Sequence, residues 1–383
     1  MDYKKRAGSY IQQNSGYKAF IPKPLPPDPE IEYDDELREL LSRADRAMAR
    51  LDGVTTVIPN ATWFIYIFIR KEALLSSQIE GTQATMEGVL EYESDLKYKE
   101  NKDDLEEVFN YIDAMRYGLD RLKELPLSLR LFKEIHNKLL SGVRGGNKSP
   151  GEFRKSQNWI GPGNSSLNDA VFVPPPANLV TEKMGELENF LHKKDRIPPL
   201  IKISLAHAQF ETIHPFLDGN GRLGRLLITF FLCWKNILLQ PILYMSYYFK
   251  YNKIDYYDYL MEVRNKGSWE KWIKFFLKGI IETSNEGINT AKTIIELKER
   301  YENIILESDQ KNKYSIFLLK TLFNKPYIRV KNIEEDFNLS YNAANNLIKH
   351  FVDVGILTET TGKERNRVYV FKEYMDIIIR NTI

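Results

Sequence analysis

Residues 214–225 bring together one imidazole (His214), one carboxylate (Asp218), two guanidinium groups (Arg222 and Arg225) and three glycines (Gly219, Gly221 and Gly224). His214 is the group whose ordinary pKa of about 6.5 suits a base near neutrality. Asp218 offers the hard oxygens that hold a phosphate-bound magnesium ion. Arg222 and Arg225 stand three apart, so on a helix they share a face and can fork onto two phosphates. Glycines at 219 and 221 let the backbone curl closely round a ligand, and successive N–H groups then form a nest for an anion. The set reads as a site for a magnesium-bound polyphosphate with a base aimed at it.

Two helices must position these groups. Ile201, Leu205, Ala208 and Ile213 recur roughly every three to four residues before the cluster, and Leu223, Leu226, Leu227, Phe230 and Phe231 repeat at helical spacing after it. Both runs predict helices with one buried face. The cluster is then a loop feeding the N-terminus of the second helix, where unpaired N–H groups and the positive dipole end favour anions. Gly219 to Gly224 also fits the GxGxxG dinucleotide pattern, but the preceding segment is helical and no Asp or Glu occurs between Asp218 and Asp255, against the strand and the later acid that the pattern needs. A zinc site is disfavoured too, because His207 and His214 are seven apart, no HExxH is present and Cys233 is the single cysteine.

The stretch His214–Arg225 matches in full the HxFx(D/E)GNGRxxR signature of Fic-domain proteins. Most of that family transfer AMP from ATP to a hydroxyl of a target protein. The resemblance implies that His214 is the base for the target hydroxyl and Asp218 the magnesium ligand. It makes Gly219, Asn220 and Gly221 the phosphate nest, Arg222 the holder of the β-phosphate and Arg225 of the γ-phosphate. Leu217 and Leu223 join the nucleotide-binding set by the same likeness, with Thr212, Ile254 and Tyr257 as its outlying members near the adenine side.

A second stretch is Ser76-Ser77-Gln78-Ile79-Glu80-Gly81. It closes a helix that starts after Pro59-Asn60 and carries Trp63, Phe64, Ile67, Phe68, Leu74 and Leu75. Glu80 falls in the last turn, where the negative dipole end disfavours a carboxylate unless a cation compensates; read without a family, it is a solvated surface acid. The stretch resembles the (S/T)xxxE(G/N) inhibitory motif of Fic proteins, which implies that Glu80 pairs with Arg225, that Ser76 helps fix the pair and that Gly81 ends the helix. Residues 21–82 resemble the module that accompanies many Fic domains.

Composition sets the frame. The 383 residues are 43% hydrophobic and 28% charged with a formal net charge of +2, ordinary for a soluble chain and too little charge to argue by itself for nucleic acid or membrane. One cysteine fits a reducing compartment, the first twenty residues lack a secretory apolar core, and Trp63 to Ile69 is far too short to span a bilayer. A cytoplasmic protein with no membrane attachment is expected.

Residues 1–20 read as a polar arm, and Pro22 to Pro29 as a stiff extended segment. Helices follow over 36–51, within 103–141 on either side of Pro126, over 178–192, and in a long run ending near Leu306. Between Gly142 and Pro176, the runs Gln157–Ile160 and Ala170–Val173 predict a hairpin, which the Fic resemblance reads as a flap that presents a target segment. The dense tyrosines between Tyr244 and Tyr259 read as packing. From residue 310 onward 12 basic residues face 8 acidic ones, a net charge of +4. Helices over 316–323, 333–337 and 341–352, then strands at 355–358 and 368–371 flanking a basic tip, resemble a winged helix.

The expected fold class is mainly α: a Fic-type helical core with a small β-hairpin flap and a C-terminal winged helix. The expected division is an inhibitory N-terminal module over 1–100, a catalytic core over 101–245, its helical completion over 246–309 and the winged helix over 310–383. The expected function is protein adenylylation with ATP and Mg2+, inhibited by the Glu80–Arg225 pair. Two alternatives stand beside it. One is removal of AMP, or transfer of another nucleotide or phosphate, on the same loop; the other is a DNA-binding regulator with a self-modifying Fic core. The expected partners are ATP and a protein substrate, with DNA or a docked protein at the winged helix, and a homodimer, left open.

Overall fold

The computed structural model describes residues 5–14, 16–57, 62–161, 166–308 and 313–382. The chain opens with a hairpin, β1 (Gly8–Gln12) and β2 (Lys18–Pro22), and then runs without helix or strand to residue 34. Helices follow as α1 (Asp35–Val57), α2 (Thr62–Ile79), α3 (Met86–Glu93), α4 (Lys102–Arg121), α5 (Leu129–Leu139), α6 (Val180–His192), α7 (Pro199–Ile213), α8 (Asn220–Trp234), α9 (Met245–Tyr251), α10 (Lys253–Lys266) and α11 (Trp269–Glu307). The last part holds α12 (Lys313–Asn324), β3 (Tyr327–Ile328), α13 (Val330–Phe337), α14 (Tyr341–Asp353), β4 (Thr358–Glu359), β5 (Tyr369–Val370) and α15 (Lys372–Ile379). The mainly helical class expected from periodicity is the one observed. The start signal at Pro59-Asn60 lies outside the described residues.

Helix α7 sits in the middle. Every residue from Leu200 to Ile213 is buried, so it is enclosed on all sides rather than on the single face its leucine and isoleucine spacing suggested. Its buried polar groups are tied down individually. Lys202 reaches Asp195 at 3.1 Å, Gln209 donates to Lys23 O at 2.8 Å, and His207 bonds Gly224 O at 2.8 Å and the Tyr256 hydroxyl at 3.0 Å. Such partners remove the cost that would otherwise keep polar groups out of a core. Helix α8 packs against α7 with Leu223, Leu226, Leu227, Phe230 and Phe231 buried. The 39-residue α11 lies along α1 and braces the assembly from outside.

Two sequence expectations need correction. The arm over residues 1–20 contains the ordered β1–β2 hairpin, because Phe20 is fully buried and stacks edge-on with Tyr10 at 5.1 Å. Runs 157–160 and 170–173 do not form a paired ladder; they meet at one antiparallel bridge, Ile160 with Phe172. The ladder stops because Pro174, Pro175 and Pro176 have no N–H to offer, and Val173 O is already taken by Phe20 N at 2.9 Å.

In the C-terminal part the sheet order is β3-β5-β4, all antiparallel. Thr358 pairs with Val370 and Glu359 with Tyr369, narrower than the runs expected from sequence, and β3 adds a third strand that the pattern did not reveal. This part is fastened to α2 by Lys71, which donates to Arg380 O at 3.2 Å, and by Trp63 against Phe323 with centroids 5.5 Å apart. No helix among the described residues is long and apolar enough to cross a membrane.

Candidate active site

The loop between α7 and α8 is held by its neighbours at nearly every backbone group. His214 ends α7 in the left-handed region with φ 48°, and Gly219 opens α8 at φ 75°, a conformation that glycine adopts without Cβ strain. Asn220 clamps Phe216 twice, accepting from its N–H and donating to its carbonyl, both at 2.8 Å. The Asn220 side chain therefore braces the loop and leaves the ligand-facing contacts to the backbone.

Two residues that the sequence did not single out complete the brace. His136 on α5 accepts from Gly151 N at 2.9 Å and donates from Nε2 to Asp218 O at 2.9 Å, with its ring stacked on Phe216 at 3.7 Å. These contacts need the neutral ring, and burial, with the nearby Arg222 charge adding, lowers its pKa to about 4. Arg154 is 3% exposed and donates to the carbonyls of His214 at 2.9 Å, Pro175 at 2.5 Å, and Ser156 and Ile213 at 3.3 Å. It has no carboxylate partner among the described residues, and burial lowers its pKa to about 10. Both left a faint trace in the sequence: a histidine inside the apolar stripe of α5, and an arginine in a glycine- and proline-rich stretch with no acid that explains it.

His214 is neutral. Burial drives its pKa down to about 3, and the positive charges of Arg154 and Arg264 press the same way. A neutral imidazole has a lone pair free to take a proton. Asp218 keeps its side chain 39% exposed while Oδ1 accepts from Gly219 N at 2.6 Å. Arg222 is buried, 3.7 Å from Asp218 and 3.6 Å from Glu107 on α4. Glu107 in turn accepts from Thr82 at 2.7 Å and pairs with Arg144 at 3.1 Å. The Nε and Nη1 atoms of Arg222 have no hydrogen-bond partner among the described residues.

Arg225 is engaged through two of its three nitrogens. Its Nε donates to Ser76 Oγ at 2.8 Å, and Nη2 donates to Ser76 O at 2.9 Å and to Glu80 Oε1 at 2.7 Å. Glu80 lies just past the end of α2, with Gly81 at φ 104° turning the chain away. Burial works to raise the Glu80 pKa, but the charge and hydrogen bond of Arg225 outweigh it and hold the carboxylate below its ordinary range. Its Oε1 rests so close to Gly221 that a Cβ at that position would collide with it. An acid from another helix thus occupies the positive N-terminus of α8.

Three family models match in sequence order: the Fic/DOC family N-terminal description over residues 38–120, the Fic/DOC family description over 126–232, and the C-terminal domain of SoFic-like protein adenylyltransferases over 297–374. The chain carries a Fic domain. Among relatives, the protein adenylyltransferase Fic of Aedes aegypti is 31% identical over 183 residues, covering 45% of this chain and 32% of the relative. The Drosophila grimshawi protein of the same name is 27% identical over 250 residues, covering 63% and 45%. The chain thus spans less than half the length of these curated relatives. A Fic family protein from Desulfovibrio desulfuricans G20 superposes with TM-score 0.58 at 19% identity, covering 89% of this chain and 97% of that one, a likeness of fold.

The remaining Fic signature positions and their outliers fall as follows. Leu223 is buried in the core and Leu217 is half-buried at the loop. Thr212 is buried and accepts from Arg264 Nε at 3.1 Å while donating to Ala208 O at 2.8 Å, so its hydroxyl is occupied. Ile254 is 78% exposed and Tyr257 40% exposed, on the first turns of α10. Glu211, one turn before His214, is a buried carboxylate whose pKa burial raises to about 7, and its Oε1 has no hydrogen-bond partner among the described residues. Sequence reasoning passed over it, because one acid in a helix carries no signal until its burial is known.

Proposed function

We propose that this protein transfers AMP from ATP to a Ser, Thr or Tyr hydroxyl of a protein, with diphosphate leaving, and that Glu80 holds the enzyme in an inhibited state. The observation that carries the reading is the convergence of a neutral His214, the Gly-rich first turn of α8 and two buried arginines on one spot, with the Glu80 carboxylate already seated there. The relatives named protein adenylyltransferase support the reaction class.

On this reading His214 takes the proton of the target hydroxyl as its oxygen attacks the α-phosphorus and the bond to the bridging oxygen of the β-phosphate breaks. The α8 amides and Arg222 stabilise the charge that develops on the phosphates. The donor set fits magnesium carried by the nucleotide: Asp218 presents one partly exposed carboxylate, and among the described residues no cluster of three or more His, Cys, Asp or Glu could hold a metal alone. When bound, the ion would neutralise phosphate charge. Arg225 cannot serve both Glu80 and a γ-phosphate, which is the basis of the inhibition. Leu217 and Leu223 flank the nest, and Thr212, Ile254 and Tyr257 are assigned to the adenine side. The division at about residues 100, 245 and 309 follows the same reading, with a winged helix last.

The test is incubation with ATP labelled either on the α- or on the γ-phosphate. Label should enter protein from the α-position only. Entry from the γ-position would mean phosphate transfer and would overturn the assignment.

A further inference from the structure

The C-terminal part carries a surface that the catalytic site does not use. Helices α13 and α14 are joined by a tight turn through Asn338 at φ 51°, and Ser340 caps α14 by accepting from Ala343 N at 3.4 Å. Ala344, Leu347, Ile348 and Phe351 face inward and are buried. The opposite face shows Tyr341, 60% exposed, followed by Asn342, Asn345, Asn346 and Lys349. No hydrogen bond is recorded for these four polar side chains among the described residues, although three are carboxamides with both donors and acceptors to offer.

Beside this face stands the loop between β4 and β5, with Lys363, Arg365 and Arg367 exposed. Its fold is set from within. Glu359 accepts from Thr361 N at 2.7 Å and Gly362 N at 3.1 Å, so one of its acids is spent on shaping the turn. The same concave surface is lined by Arg329 and Lys331 on the far side of Tyr341 and Asn345, with Lys97 from the α3–α4 connection. Glu91, Glu334 and Glu364 also line it, so cations outnumber acids there by six to three, while the neighbouring hollow between α14 and the loop is balanced, with Lys349, Lys363 and Arg367 against Asp353, Glu359 and Glu364.

We infer that α14 and the 361–367 loop form a binding surface for double-stranded DNA, with α14 in the major groove and the basic loop on the adjoining backbone. The charge balance suits a polyanion. The row of asparagines supplies the paired donor and acceptor that reads the edge of adenine, which a purely electrostatic surface would not need. Helix width and the helix–turn–helix entry match the groove. An acidic protein partner is disfavoured because the face lacks buried aromatic or aliphatic anchors: Tyr341 and Val352 are its large exposed hydrophobics.

The experiment uses the full chain and a fluorescent mixed-sequence duplex of about two helical turns, titrated from low to physiological salt. Wild-type protein should bind with an affinity that falls steeply with salt. The triple change K363A/R365A/R367A should weaken binding at least about tenfold and make the log–log salt slope shallower by roughly 2 to 3. Changing Asn342, Asn345 and Asn346 to Ala should leave that slope in place but erase the preference for sequences recovered from a randomised duplex pool. Of the six substituted side chains five are exposed and Asn345 is half-buried, and none belongs to the catalytic site, so auto-labelling by ATP should be unchanged in both variants. Equal binding by wild type and the basic-loop variant would overturn the inference, as would binding that heparin and single strands compete for equally with no sequence preference recovered.

Discussion

The loop at 214–225 and the outer face of α14 are both polar and both rich in donors, yet they differ in commitment. In the loop, Asn220, His136 and Arg154 pin the backbone, and Arg225 has donors on Ser76 and Glu80. On α14 the three asparagines and Lys349 meet no protein partner among the described residues. A buried polar group must be satisfied internally or it costs stability, whereas an exposed one is free to wait for a ligand. The loop is therefore preorganised, and on the proposed reading its regulation would take the form of an internal competitor for one arginine. The C-terminal face is shaped for something external.

The largest effects should come from groups that act chemically inside the committed loop. Replacing His214 with Ala removes the base and should lower AMP transfer by about 10²- to 10⁴-fold, with nucleotide binding, followed by fluorescence of an ATP analogue, nearly unchanged. Retained transfer would break the assignment. Replacing Glu80 with Gly should act in the opposite direction. The charge-assisted hydrogen bond to Arg225 is worth roughly 1.5 to 3 kcal/mol, which corresponds to about a ten- to hundredfold gain in auto-modification. Ser76 keeps its own hydrogen bonds to Arg225, but the buried guanidinium loses its charge partner, so the melting temperature should fall by a few degrees while labelling rises. An unchanged labelling rate would remove the inhibition argument while leaving the base assignment intact.

How much of this was legible in the sequence follows the same contrast. Groups that the proposed reading assigns to the nucleotide and the base declared themselves through type and spacing: His214, Asp218, Arg222 and Arg225 lie within one stretch, and periodicity located α7 and α8. Groups that hold those in place did not. His136 lies 82 residues before Asp218 and Arg154 lies 60 before His214, and their faint local traces do not say which loop they brace. The Glu80–Arg225 contact, 145 residues apart, was reachable through family likeness alone. Short strands were the least legible elements. β1 and β2 hide in a polar arm whose core contact is Phe20, and β3 spans two residues recruited by β5.

Acid should separate the two regions next. Buried His136 and His207 and half-buried His214 have pKa values lowered to about 4, 3 and 3, so the unfolded chain takes up their protons below about pH 6.5 while the fold refuses them. Their contribution is lost as pH falls. Glu72 and Glu211 work the other way: burial raises each to about 7, the fold keeps their protons where the unfolded chain has released them, and stability grows as pH falls from 7 towards 4.5. Between about pH 4.5 and 6.5 three protons oppose two, so stability should fall gently, by about 1.4 kcal/mol per pH unit for the one proton of difference. Below about 4.5 Glu72 and Glu211 are protonated in both states, and the histidines are joined by Glu80 and Glu134, whose arginine partners hold them below the ordinary carboxylate range, so stability should fall more steeply there. Urea unfolding across this range checks it; a uniform decline from pH 7 downward would contradict the opposing pair.

The smallest effects compare one asparagine from each region. Asn220→Ala strips the Phe216 amide of its acceptor inside the core, and an orphaned buried donor should cost about 2 kcal/mol. Phe216 O still accepts from Asn158 at 2.8 Å, which keeps the loss from doubling. Asn345→Ala removes a side chain with no protein partner to lose and should stay within about 0.5 kcal/mol of wild type. Thermal melts of the two variants therefore measure commitment directly. A cost at Asn345 comparable to that at Asn220 would mean the C-terminal face is already engaged within the molecule. The difference drawn between the two regions would then vanish, because a donor bound at home is not held in reserve for a visitor.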